Sequence, residues 1–415
     1  MNSSAIETRA RSNFLSVLRH RNFALLWSGQ AISALGDALF AIAEIWLVLQ
    51  LTGSAVAMGT AVILTQLPRL ALMMIGGVSV DRYNRQMMML ISDLIRGVVV
   101  LAFGFLVATN QIELWHVYVL AIIFGVVSAF FQPAQTAVIP NLVPREALTA
   151  ASALSQLTMQ MAQVFGPLLG GILIAVPAIG IAGVCYLNAA SFLIGALGIA
   201  FLKIPAATKS ARTMNNSMLA DLRDGLRYLF GLRALVVIML LAMVLNFSLA
   251  PIQVLMPIHA KNALGQGSEG FGLLFTTLGV GMVAGSIFVG MWSPNRRRGW
   301  WSFALCALGG ALFIFIGLVP IFALTLALLF AFGFINAIIN AMLGATMQGI
   351  IADEFRGRVA AVNMTISTGL NPIALALGGV FGDAYGAGII IAAGGALCML
   401  TALGGLGVRE VRELQ

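Results

Sequence analysis

Gly76-Gly77-Val78-Ser79-Val80-Asp81-Arg82-Tyr83-Asn84-Arg85-Gln86 is a short polar stretch between two long apolar runs. It concentrates an acid and two bases, Asp81, Arg82 and Arg85, in a chain that has few charges elsewhere. The flanking runs, 55–76 and 87–108, are each long enough to cross hydrocarbon, which takes about 20 apolar residues. Breaking the rest of the chain at charge and turn clusters gives ten more such runs: 23–49, 114–137, 148–175, 179–202, 234–258, 270–292, 300–319, 321–347, 359–383 and 386–407. Only helices that satisfy their own backbone can fill such runs in lipid, because no sheet edge is left open there.

Composition agrees. Of 415 residues, 60% are hydrophobic and 9% charged, and the mean hydropathy is +0.99. A soluble domain carries about 25% charged residues, so lipid is the solvent for most of this chain. The expectation is an all-α integral membrane protein of twelve transmembrane helices in two six-helix bundles. These are an N-terminal bundle over 1–202, a polar cytoplasmic linker over 203–233 and a C-terminal bundle over 234–415. The opening stretch with Arg9, Arg11, Arg19 and Arg21 precedes a retained first span, since the apolar run is too long for a signal peptide.

The +8 net charge reflects topology, not nucleic-acid binding. On alternate loops, starting with the N-terminus, lie 20 of the 23 Lys and Arg residues, and the opposite loops hold only Lys261. Positive residues stay cytoplasmic, which puts both termini and the linker inside, in a plasma membrane of the bacterial inner-membrane type. Cys185, Cys306 and Cys398 stand alone in apolar runs and read as small hydrophobes. His20, His116 and His259 read as polar residues at membrane edges. No phosphate loop, nucleophile triad or metal-ligand spacing is present, so the sequence offers no machinery for an enzyme, a cofactor or a metal.

The halves repeat with an offset of 211 residues, set by Arg145 and Arg356. In that register Ser152 pairs with Asn363, Gln156 with Ser367 and Gln160 with Asn371. Each set recurs every four residues and marks one helix face. Parallel repeats of this kind are a known transporter plan, with the binding site at mid-depth.

On these residues the chain resembles the major facilitator superfamily. The family's loop between the second and third helices reads roughly G-x-x-x-D-R-x-G-R-[RK]. Gly77, Asp81, Arg82 and Arg85 match it, while Asn84 and Gln86 depart from it. Asn84 tolerates a left-handed turn. Gly77 would admit a neighbouring helix, Asp81 would cap one, and the arginines would pair with acids, together forming a cytoplasmic gate. Gly166-Pro167-Leu168-Leu169-Gly170-Gly171 is similar to a G-P-x-x-G-G element of the antiporter branches. Its proline bends the helix and its glycines permit close packing. An ordinary packing face explains that element equally well. The stretches RNFALLWSGQAISALGDALF and FFQPAQTAVIPNLVPREALTAASAL are similar to the siderophore and macrolide exporter branch. In that plan the first, fourth, seventh and tenth helices surround a central cavity.

Acids inside the bilayer are costly and mark function. Asp37 and Glu44, with Gln30 and Ser33, form a polar stripe on the first span. Asp37 and Glu44 are candidates for proton coupling or cation recognition; the alternative is a helix–helix ion pair with Arg69. Arg69, Asp93 and Arg96 form a candidate charge network linked to the gate. Gln156, Gln160, Asn246, Asn336, Asn340, Ser367 and Asn371 are candidate cavity hydrogen bonders. The expected activity is proton-coupled export of an amphipathic small molecule (drug-, macrolide- or siderophore-like) by a monomer, with lipid, protons and that substrate as its partners. An importer or symporter of a small metabolite, and a non-transporting scaffold or receptor, are the alternatives.

Overall fold

The computed structural model describes residues 15–202, 233–291, 298–350 and 366–407. The linker up to residue 232, Arg356 and Asn363 lie outside them, as does the side chain of Asp81. No strand occurs among the described residues, and eleven helices there are long and apolar enough to cross a membrane. The helices are α1 (Arg21–Thr52), α2 (Ala55–Arg82), α3 (Arg85–Ala108), α4 (Leu114–Leu142), α5 (Leu148–Ala175) and α6 (Gly180–Ala200). They continue as α7 (Arg233–Leu249), α8 (Ile252–Asn262), α9 (Ser268–Met291), α10 (Arg298–Leu318), α11 (Phe322–Ile350), α12 (Asn371–Tyr385) and α13 (Ala387–Gly407). Outward side chains such as Leu70, Val98, Phe105, Leu197, Leu318 and Leu400 are apolar and exposed, as lipid contact requires.

The described residues group into two compact units. One holds those of 1–52 and 61–210, the other those of 53–60 and 211–415. Within the first, α6 packs on α1 and α3, α3 on α4, and α1 on α5. Within the second, α13 packs on α7 and α10, α10 on α11, and α8 on α12. Counted by span, these four pairings recur in both units.

Two expectations need correction. The seventh span is not continuous: α7 ends at Leu249 and α8 begins at Ile252, because Pro251 lacks the N–H that would carry the ladder through. The Gly76–Gln86 stretch is mostly helix. Ser79 Oγ donates to Ile75 O at 2.7 Å, Tyr83 N donates to Ser79 O at 2.8 Å, and α2 runs to Arg82 before turning.

Glycine sets the helix spacing here. A Cβ on Gly76 would lie 2.1 Å from Ala129 O, whereas one on Gly77 would meet nothing within 4 Å. The glycine that admits a neighbouring helix is therefore Gly76, not Gly77. Gly76→Ala should destabilise the protein by about 1–3 kcal/mol through overpacking against backbone, and Gly77→Ala by much less. Melting temperatures of the two purified variants in detergent check this, and equal shifts would contradict the α2–α4 contact.

Candidate functional site

The site grows from α1, which is held on two sides. A Cβ on Gly166 of α5 would lie 2.3 Å from Ala38 Cβ, and Gly170 faces Leu39 O at 3.1 Å. The Gly166–Gly171 element is thus a seam between α5 and α1, with Gly166, Pro167, Gly170 and Gly171 all buried. On the other side Gly36 faces Ser191 and Asn188 of α6, and Gly195 of α6 faces Ser33 and Asp93. Ser33 Oγ donates to Ser191 O at 3.1 Å.

This packing brings Asp37 to α3 and α6. Arg96 Nη1 lies 3.9 Å from Asp37 Oδ2, and Asn188 Nδ2 donates to Asp37 Oδ1 at 3.5 Å. Arg96 Nη2 donates to Asp93 Oδ1 one helical turn away on α3. The guanidinium also lies over Phe131 and Phe192, at 4.3 and 4.6 Å from the ring centroids. Cations are attracted to such ring faces. Two acids therefore share one base. Asp93 is fully buried and Arg96 nearly so, whereas the side chain of Asp37 is 42% exposed. A charge in a low-dielectric interior demands a partner. Arg96 answers Asp93, and Asp37 is the more exposed of the two acids that approach it.

The other predicted residues fall in several places. Arg69 is not the partner of Asp37; its Nη2 donates to Gln132 Oε1 at 2.7 Å, so it stands apart from the Asp93–Arg96 pair. Glu44 is half-buried and makes no hydrogen bond or ion pair among the described residues. Gln156 and Gln160 are exposed on α5, whereas Ser367 is 8% exposed and Asn371 holds a buried Oδ1 with no partner. The two stripes of the repeat are therefore not equally open. Asn246 is exposed and donates to Ala242 O at 2.8 Å. Asn340 Nδ2 donates to Asn336 Oδ1 at 2.8 Å. His259, expected at a membrane edge, is 2% exposed inside the second unit.

At the turn after α2, Asn84 is not left-handed. At φ −68° it caps α3, accepting from Gln86 N at 2.9 Å and Met87 N at 3.3 Å. Arg85 Nη1 donates to Ala137 O at 3.0 Å, and its Nε to Val80 O at 3.4 Å. Gln86 Nε2 donates to Ile199 O at 2.8 Å and Leu202 O at 3.0 Å, so an amide holds the carbonyl end of α6. Arg82 is exposed. Asn188 is the site residue that the sequence left unassigned, and Arg96, expected in a charge network with Arg69, was not matched to Asp37. The spacing of Asp93 and Arg96 on one helix face, and a lone amide in an apolar span, were the available signals.

A profile of the Major Facilitator Superfamily matches residues 26–373. The chain belongs to the Major Facilitator Superfamily. This superfamily comprises multi-pass membrane transporters of small molecules, not enzymes. Among its members, macrolide efflux protein A of Streptococcus pyogenes is 24% identical over 397 residues, covering 94% of this chain and 97% of that protein. The multidrug efflux pump Tap of Mycolicibacterium fortuitum is 28% identical, covering 85% and 87%. A bacterial homologue of the human lysosomal transporter Spinster, solved inward-facing and unoccupied, superposes with a TM-score of 0.72 at 13% identity, covering 97% and 98%. A bacterial homologue of the iron transporter ferroportin gives 0.70 at 14% identity, covering 94% and 99%. The two solved structures share the fold of this chain.

Proposed function

We propose that this chain exports an amphipathic small molecule in exchange for protons, by alternating access. The observation that carries the reading is Asp37, a mid-span carboxylate 42% open beside a buried Arg96–Asp93 pair. A proton taken up by Asp37 removes the surplus charge of that group, and its release restores it. Glu44 is the second candidate carrier. The relatives named as macrolide and multidrug efflux proteins support export of drug-like compounds.

In the first unit a small cleft, with about 40 Å³ of free space, is lined by Phe23, Leu26, Trp27, Gln30, Gln135 and Thr158 among others. Its walls are mostly apolar with a few amides, the chemistry of a subsite for an amphipathic ligand, though not the volume of a whole drug site. Gln30 Oε1 accepts from Gln135, which leaves the buried Gln30 Nε2 as an unpaired donor. The exposed Gln156, Gln160 and Asn246, with Asn336, Asn340, Ser367 and Asn371, supply further hydrogen bonds as the halves 1–202 and 234–415 alternate. Asp81, Arg82 and Arg85, with Gly76 in place of Gly77, act as the cytoplasmic gate. The positive-charge bias supports cytoplasmic termini in a bacterial inner membrane, and the working unit of the proposal is a monomer.

The test is accumulation of a panel of amphipathic drugs in cells with and without the protein. Export that a protonophore abolishes is the expected result. Export indifferent to the protonophore would remove the proton from the mechanism, and drug uptake driven by an inward proton gradient would favour the symporter.

A further inference from the structure

The cleft lined by Phe23, Leu26, Trp27, Gln30, Gln135 and Thr158 lies within the first unit, between α1, α4 and α5. Two of its polar contacts differ in kind. Trp27 Nε1 donates to Thr158 Oγ1 at 3.0 Å, and Thr158 Oγ1 donates to Leu154 O at 2.9 Å. An indole N–H only donates and a backbone carbonyl only accepts, so this series runs in one fixed direction. Gln135 Nε2 donates to Gln30 Oε1 at 3.0 Å, and neither side-chain amide makes another hydrogen bond among the described residues.

Each amide carries both a donor and an acceptor. Turning both end for end keeps a bond between them, with Gln30 now donating to Gln135. The two arrangements exchange what Gln30 offers on its other side: an N–H in the first, a carbonyl in the second. That side is costly to leave empty. Gln30 Nε2 is buried with no partner, and a buried polar group in that state is uncommon and destabilising. Gln30 is a wall residue of the cleft, so a group bound there is the partner that the fold itself does not supply. The buried Phe23 and Leu26, with Trp27 held by its own bond, contribute contacts that do not depend on which way the amides point.

We infer that the Gln30–Gln135 pair is a reversible contact through which this subsite takes either an acceptor oxygen (ketone, ester or ether) or a neutral donor (hydroxyl or amide N–H) on a ring-bearing substrate. The inference rests on the export reading above, since it gives the chemistry of that substrate. Compounds of opposite hydrogen-bonding character then use one contact, with no movement of a helix. Gln30 is the specificity-determining residue, and Gln135 is the positioning residue that sets which of its groups is offered.

The test is equilibrium binding of tritiated naphthyl methyl ketone, naphthol and methylnaphthalene to the full-length protein in nanodiscs, with binding to empty nanodiscs subtracted. The ketone only accepts, the naphthol donates and the hydrocarbon does neither. The parent should bind ketone and naphthol alike, each about tenfold tighter than the hydrocarbon, as one buried hydrogen bond would give. Gln135→Glu, whose carboxylate only accepts, holds Gln30 Nε2 toward itself and should weaken the ketone about tenfold while sparing the naphthol. Gln135→Lys, which only donates, should do the reverse. Both preferences should vanish when Gln30→Leu is added, because they act through Gln30. Parallel losses of both probes, preferences that survive Gln30→Leu, or a parent that binds neither probe tighter than the hydrocarbon overturns the inference. If the charged variants fail to accumulate, Gln30→Leu alone decides. It should bring ketone and naphthol down to the hydrocarbon level, and undiminished binding overturns the inference. No gradient enters this measurement. The reciprocal pattern in a protein that exports no drug therefore supports the amide pair and counts against export alone, whereas protonophore-sensitive export with parallel losses overturns the pair and leaves export standing.

Discussion

Asp37→Asn is expected to lower drug export about tenfold or more, equivalent to at least 1.4 kcal/mol, while leaving the bundle folded. Asparagine keeps the shape of the side chain and a hydrogen-bonding oxygen for Asn188. It removes the charge that faces Arg96 and the capacity to carry a proton. Arg96 retains Asp93, so no buried charge is stranded. The effect should therefore appear in coupling, not in stability. Export driven by a pH gradient should collapse, whereas substrate counterflow between equilibrated vesicle compartments, which needs no net proton movement, should persist. Wild-type export with wild-type dependence on the gradient would sink the role of Asp37. Loss of counterflow as well would make it a substrate ligand and pass the coupling role to Glu44.

Arg96→Leu is expected to have the largest effect on stability. Asp93 is fully buried and its partner is the Arg96 guanidinium. Removing one member of a buried ion pair costs about 3–5 kcal/mol, because the other charge is left uncompensated. The variant should melt well below the parent in detergent and accumulate poorly. Removing both charges, as in Asp93→Asn with Arg96→Leu, should recover much of the loss, since a neutral replacement of a buried pair is often tolerated. A single variant as stable as the parent would show that the pair bears no such cost.

Much of the fold could be read from the chain because lipid imposes one simple rule, a long apolar run for each crossing. Pro251 shows where that rule stops, since hydropathy runs on through a backbone break that a missing N–H enforces. Asp37 was legible as a site residue for the same reason: an acid at mid-span stands out against Leu, Ile and Ala. Its partner was not. Arg69 and Arg96 are equal as sequence signals, and only the approach of α1 to α6 at Gly36 and Gly195 decides between them. Gln86 looked like a defect in the 76–86 pattern, yet carbonyls at the end of α6 accept from an amide as readily as from a base. No local pattern signals that Asp383 accepts from Ser54, 329 positions away.

The glycines on both flanks of α1 also determine how a proton signal can travel. With Gly166 and Gly170 against one side, and Ser191 and Asn188 against the other, α1 has no room to twist by itself. The carboxylate at position 37 and the guanidinium at 96 ride on one stiff block, so their spacing is a constant of that block. In the proposed exchange, neutralising the acid would therefore change the charge of the block as a whole, and the bundle would act as a charged lever arm.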